Sequence, residues 1–244
     1  LQSGINTQLG IPEETLSTVV VLDPNLNALN RYLEQEDDVA AVILEPTGGH
    51  WGQFPLPNPE FLEGVRHITA KYNVAMIMDE VICGFRLSRG GAQGKFDIHP
   101  DLTTLAKIVS GGLPGGAVAG KVDIMGVLDS KDSSPHLSHP GTFNANPISA
   151  TAGITTLRLL ETEPINKKAD AMADRLKDGL RDVLTKMEVS GHVHGVASIV
   201  HIALGVECDC GGGICTCPHS HLEEATGPSK SRPLKLAMLN EGVD

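Results

Sequence analysis

The first half of the chain alternates apolar blocks with polar, periodic ones. "VAAVIL" (Val39 to Leu44) is short, apolar and rich in β-branched residues, which predicts a buried strand. In "PEFLEGVRHITAKYN", Phe61, Leu62, Val65, Ile68 and Tyr72 recur on one face of a helix. "VAMIM" (Val74 to Met78) predicts a second buried strand. Strand, helix and strand with short links form a βαβ unit, which implies a parallel sheet. Ligands of such sheets sit beyond the carboxyl ends of the strands. That rule directs attention to "EPTGGHW" and "DEVICGF".

Further along, "GGAVAG" reads as a strand of small residues. Asn146 is placed to cap a helix with Pro147 in its first turn, leading into "ISATAGITTLRLLE". The next helix carries Ile165, Ala169, Met172, Leu176, Leu180, Val183 and Met187 at spacings of three and four, which predicts a packing face. "VASIVHIAL" reads as a strand, and "PLKLAMLNEG" as a helix stopped by Gly242. The change of pattern places a soft boundary near residue 165. Residues 1–165 then form a large domain whose N-terminal part is missing, and 166–244 part of a smaller one. No internal repeat is evident.

Length and apolar content are sufficient for a substantial core. The formal net charge of -11 argues against a nucleic-acid or anionic-membrane surface. No apolar run approaches membrane-spanning length, and "LQSGINTQLG" lacks the pattern of a signal peptide. The chain starts at Leu and stops in mid-pattern at "MLNEGVD", which reads as a piece of a longer protein. Cys83 stands apart from the four cysteines of "CDCGGGICTC"; with no sign of secretion, reduced thiols in the cytoplasm are expected.

Several residue groups carry possible chemistry. Asp79 and Glu80 end a predicted strand, where a carboxylate is held rigidly and can pair with a metal or a protonated ring nitrogen. The plainer reading is an acid that caps the next turn. Lys107 follows "LTTLA" and precedes a glycine-rich stretch. A lysine partly withdrawn from water is a usable nucleophile, whereas most lysines are simply solvated. Gly115, Gly120 and Lys121 match the start of a phosphate-binding loop, but Val122 stands where the Ser or Thr that holds magnesium is required. Thr142, in "HPGTFNANP" just before a predicted helix start, offers a hydroxyl and backbone amides to a phosphate, or is an ordinary turn residue. Cys208, Cys210, Cys215, Cys217, His219 and His221 are soft-metal ligand types, yet their C-x-C spacing differs from the C-x-x-C of most zinc sites, so no metal site is assigned.

Taken together, "VILEPTGG", "MIMDEVICGFR", "GGAQGKFDIHPDLTTLAKIVSGGLPGGAVAGK", "HPGTFNANPISATAG" and "AMLNEGV" resemble the class III, pyridoxal-phosphate-dependent aminotransferases. The likeness is greatest to the glutamate-1-semialdehyde aminomutase branch. The resemblance implies an α/β, fold-type-I architecture with a mostly parallel sheet and part of a small α+β C-terminal domain. It implies that Lys107, and not Lys121, is the lysine joined to pyridoxal phosphate as a Schiff base. Asp79 matches the aspartate that pairs with the pyridine nitrogen, and Val81 the residue packed on the ring face. Glu45 opens the E-P motif near the ring. Thr142 matches the threonine that reaches the cofactor phosphate of the neighbouring subunit in the family homodimer. His50 departs from the residue expected beside the cofactor hydroxyl in the aminomutase. The family's phosphate cradle and its ring-stacking aromatic lie upstream of the matched stretches, and neither is found here. The chain alone is therefore expected to be inactive and to bind the cofactor weakly.

The reading that follows is an aminotransferase that moves an amino group between an amino acid or amine and a keto or aldehyde acceptor. An isomerase of the aminomutase type is the rival within the family. A non-catalytic thiol- or metal-binding remnant of the fold is the rival outside it.

Overall fold

The computed structural model describes residues 10–47, 59–128, 136–206 and 228–243. After a single helical turn, α1 (Glu13–Leu16), the chain enters α2 (Leu26–Gln35). Asn25 starts α2 because its side-chain oxygen accepts the N–H groups of Asn27 and Ala28. The expected βαβ unit follows: β1 (Ala41–Leu44), α3 (Pro59–Lys71) and β2 (Ala75–Asp79). Then come α4 (Gly91–Phe96), β3 (Leu102–Ala106), β4 (Gly116–Gly120) and the short α5 (Val122–Met125). The sheet order is β1-β2-β3-β4, parallel from β1 to β3 and antiparallel at β4.

The face of α3 predicted from its spacing is the one that packs. Leu62, Val65 and Ile68 join Met76 and Met78 of β2 and Leu29 and Leu33 of α2 in one apolar core. One expectation needs correction. Strand β1 is not fully buried, since Ile43 is 61% exposed. It lies at one end of the strand order, so among the described residues it gains strand cover on one side only. Strand β4, at the other end, is exposed at every position.

Asn146 caps α6 (Pro147–Thr162) as expected, accepting from the N–H groups of Ile148 and Ser149. Helix α7 (Ile165–Lys186) differs from the forecast. Met172, Leu176, Val183 and Met187 of the predicted stripe are exposed, and Ala173, Lys177 and Leu184 are buried. Helical spacing defines a stripe, but the position of β5 (Gly191–His194) against α7 selects which neighbouring stripe is covered. The strand expected over 196–204 is only β6 (His201–Leu204), which pairs antiparallel with β5. Residues 196–199 form a turn instead, closed by the Ile199 N–H on the Val196 carbonyl. Helix α8 (Pro228–Asn240) ends where expected, with Gly242 at φ +80°.

Candidate active site

Parallel strands place their carboxyl ends on one edge of the sheet. Glu45 directly follows β1, Asp79 is the last residue of β2, and Lys107 directly follows β3. The three side chains singled out from sequence therefore come from adjacent strands at one edge. On Asp79, the described bonds fall on one oxygen. Oδ1 accepts the Val81 N–H at 3.1 Å and the Thr104 hydroxyl at 3.2 Å. Oδ2 faces no described donor. Val81 is half-buried in the turn after β2. Glu45 accepts both the N–H and the hydroxyl of Thr47, at 3.0 and 2.8 Å.

Lys107 turns the chain sharply. Its φ is +54°, a left-handed conformation that a side chain disfavours, and it opens a 3-10 turn over Lys107–Ser110. Helix α6 packs on that turn so closely that a Cβ on Gly153 would meet the Val109 carbonyl at 2.5 Å. The Lys107 side chain is exposed and makes no ion pair with the described residues, so these residues do not supply the desolvation considered from sequence. Lys121 is different. Its ammonium lies 2.6 Å from Asp101 at the opposite end of β3. Asp101 also accepts from Arg66 at 2.6 Å and from the Met76 N–H at 2.7 Å. Burial alone would raise the Asp101 pKa, but these donors and the Arg66 charge hold it at about 2.

Behind Asp79 lies a second carboxylate. Glu80 is 1% exposed and accepts the N–H groups of Ala92 and Gln93 at the start of α4, plus the Gln93 side-chain amide at 2.9 Å. The same amide donates to the Thr103 hydroxyl. Gly91 has φ +66°, and a Cβ there would collide with Glu80 Oε2. Cys83 is buried beside this network; burial first, then the carboxylates of Glu45 and Glu80, push its thiol pKa well above the ordinary value. Thr142 is exposed, in the turn just ahead of α6, and is not brought to Asp79 by the described contacts. Among the described residues no group of His, Cys, Asp or Glu has the arrangement of a metal site. The cysteine cluster from Cys208 to Cys217, with His219, His221 and His50, lies outside the described residues.

The family description "Aminotransferase class-III" matches residues 8–209. The chain belongs to the class III aminotransferases. Curated relatives include a glutamate-1-semialdehyde 2,1-aminomutase of Sulfolobus acidocaldarius, 40% identical over 204 residues, covering 83% of this chain and 48% of the relative. Another, from Methanococcoides burtonii, is 41% identical over 199 residues, covering 81% and 46%. The chain thus spans about half the length of the curated relatives it matches. Among solved structures, an omega-transaminase from Sphaerobacter thermophilus superposes with TM-score 0.75 at 34% identity, covering 90% of this chain and 48% of that one. A glutamate-1-semialdehyde aminomutase from Pseudomonas aeruginosa gives TM-score 0.78 at 25% identity, covering 97% and 52%. The class III architecture is thus that of the fold-type-I transferases expected from the motifs.

Several neighbours of Asp79 and Glu80 are not singled out by the sequence reading. Thr103 and Thr104 enter that reading only inside the stretch leading to Lys107, and Gln93 only inside a matched motif. Their signal lies in register: Asp79 pairs with Thr104 across β2 and β3, and register between distant strands is not written in either strand alone. Lys121 had been set aside only for failing a motif; its positive role is the ion pair with Asp101.

Proposed function

We propose that the whole protein to which these residues belong is a pyridoxal-phosphate enzyme that relocates amino groups. Of the two forms of that chemistry, the intramolecular one, glutamate-1-semialdehyde aminomutase, is favoured over an aminotransferase with a separate acceptor. The observation that carries the cofactor reading is the open edge of the sheet. Among the described residues, a carboxylate engaged on one oxygen ends one strand, and a lysine without an ion pair directly follows its parallel neighbour.

The donor set suits the cofactor. Asp79 Oδ2 is available to a protonated ring nitrogen, Val81 in the next turn is assigned to the ring face, and Glu45 lies one strand away. Bound pyridoxal phosphate supplies a sink for electrons released when the substrate loses a proton. Asp79 keeps the proton on the ring nitrogen, which maintains that sink. Lys107 would hold the cofactor through Nζ, and its amine, when free, would hold or move the proton that the substrate loses. Thr142, exposed in the turn ahead of α6, is assigned to the cofactor phosphate of a second subunit in a homodimer.

The isomerase reading is supported by relatives named as aminomutases at 40–41% identity. The substrate under this reading is glutamate 1-semialdehyde, and the small-molecule partners of the alternative are an amine or amino acid and a keto acid. Acceptor dependence discriminates them. The purified whole protein, given glutamate 1-semialdehyde alone, is expected to form the isomer with the amino group on carbon 1. Turnover only when a separate keto acid is added would favour the aminotransferase.

A further inference from the structure

We infer that Thr104 is a positioning residue for Asp79; this rests on the cofactor reading above. Asp79 and Thr104 are direct partners in the β2–β3 register, and the Thr104 hydroxyl donates to Asp79 Oδ1 at 3.2 Å. The only other described donor to that carboxylate is the Val81 N–H, also on Oδ1. Both bonds on one oxygen fix the carboxylate plane and leave Oδ2 directed elsewhere. Backbone at Val81 cannot be varied by side-chain choice, so Thr104 is the side chain that sets this orientation.

The neighbouring threonine shows what β3 is doing at this edge. Successive residues of a strand point to opposite faces. Thr103 meets Gln93, which holds Glu80, while Thr104 meets Asp79. Two adjacent acids, one ending β2 and one just after it, are thus matched by two adjacent hydroxyls on β3, one through a glutamine and one directly. A valine at 104 would satisfy a strand equally well, so only the hydroxyl accounts for the bond. Threonine is also stiff at χ1, which holds the donor in place before a ligand arrives. A donor to a carboxylate favours its charged form, the form needed beneath a protonated ring.

The test uses the whole protein loaded with pyridoxal phosphate, as wild type, Thr104→Val, Thr104→Ser and Thr104→Ala. Two quantities are read: kcat against KM, and the pH midpoint of the cofactor's visible absorbance. Thr104→Val should lower kcat about tenfold with little change in KM, the loss expected for one hydrogen bond to a charged group. Its absorbance midpoint should move upward by about one pH unit, because a less firmly protonated ring repels a neighbouring proton less. Thr104→Ser should restore both. A Thr104→Val protein with the wild-type midpoint, whatever its kcat, overturns the inference, as does a Thr104→Ser protein that behaves like the valine variant. Should Thr104→Val fail to fold, the same two readouts on Thr104→Ala decide. A wild type that gains no visible band, with no lysine labelled on borohydride reduction, overturns the cofactor reading itself and this inference with it.

Discussion

The two ends of the central sheet use the same residue types to opposite effect. At the amino end of β3, Asp101 is surrounded: Lys121 on Oδ1, and Arg66 and the Met76 N–H on Oδ2. At the carboxyl end of β2, Asp79 has both described donors on one oxygen, and Lys107 makes no ion pair with the described residues. An acid whose two oxygens are both taken by cations and amides ties the chain together. Both of its oxygens are already committed to the fold. An acid held on one side is fixed in orientation yet chemically open. The difference separates a structural aspartate–lysine pair from a candidate catalytic one without reference to any motif.

The severest test exchanges the lysines. Lys107→Ala in the whole protein should abolish cofactor attachment and lower turnover by several orders of magnitude. Lys121→Ala should keep both and lose only about 1 kcal/mol of stability, since its side chain is half-exposed. Borohydride reduction and peptide mapping should label Lys107; label on Lys121 would collapse the contrast.

The aspartates come next. Asp79→Asn should retain the fold and slow turnover by roughly 10²–10³-fold, as for loss of one electrostatic element in a preorganised site. Asp101→Asn should do the reverse, sparing kcat and lowering the melting temperature by the equivalent of about 2 kcal/mol near neutral pH. The pH dependence sharpens this. Asp101 has a folded pKa of about 2, below the unfolded value of about 4. Its contribution is therefore complete above about pH 4 and disappears as pH falls toward 2. Melting curves of wild type and Asp101→Asn should converge over that window.

Gly91→Ala probes the Glu80 network behind Asp79. A left-handed φ and a collision with the Glu80 carboxylate should both destabilise the variant. Differential scanning calorimetry showing an unchanged or higher melting temperature would contradict the close packing described.

The last comparison lies in the β5–β6 sheet. Burial holds the His201 pKa at about 4, below the unfolded value of about 6.5. Between those values the unfolded chain binds the extra proton, so stability should fall as pH drops from about 6.5 to 4. His201→Gln should flatten that slope, measured by denaturant melts across the window.

Much of this arrangement can be read without coordinates. Short β-branched runs and the face of α3 mark the βαβ unit because strand and helix periods are local properties of the chain. The cap at Asn146 is legible for the same reason, since its oxygen bonds only two and three residues ahead. The strand-end rule then points to Asp79, and motif likeness to Lys107. What local pattern cannot decide is which stripe of α7 is covered or how exposed Ile43 and β4 are. These depend on neighbours distant in sequence: β5 against one side of α7, and no strand beyond β1 or β4 among the described residues. The pairing of Thr104 with Asp79, and of Lys121 with Asp101, is likewise a matter of register and strand order. A one-residue slip would exchange the faces of β3 and put Thr103 where Thr104 stands. Sequence alone named Asp79 and the two lysines; only the packed sheet brought in Asp101 and determined which pair is closed and which is open.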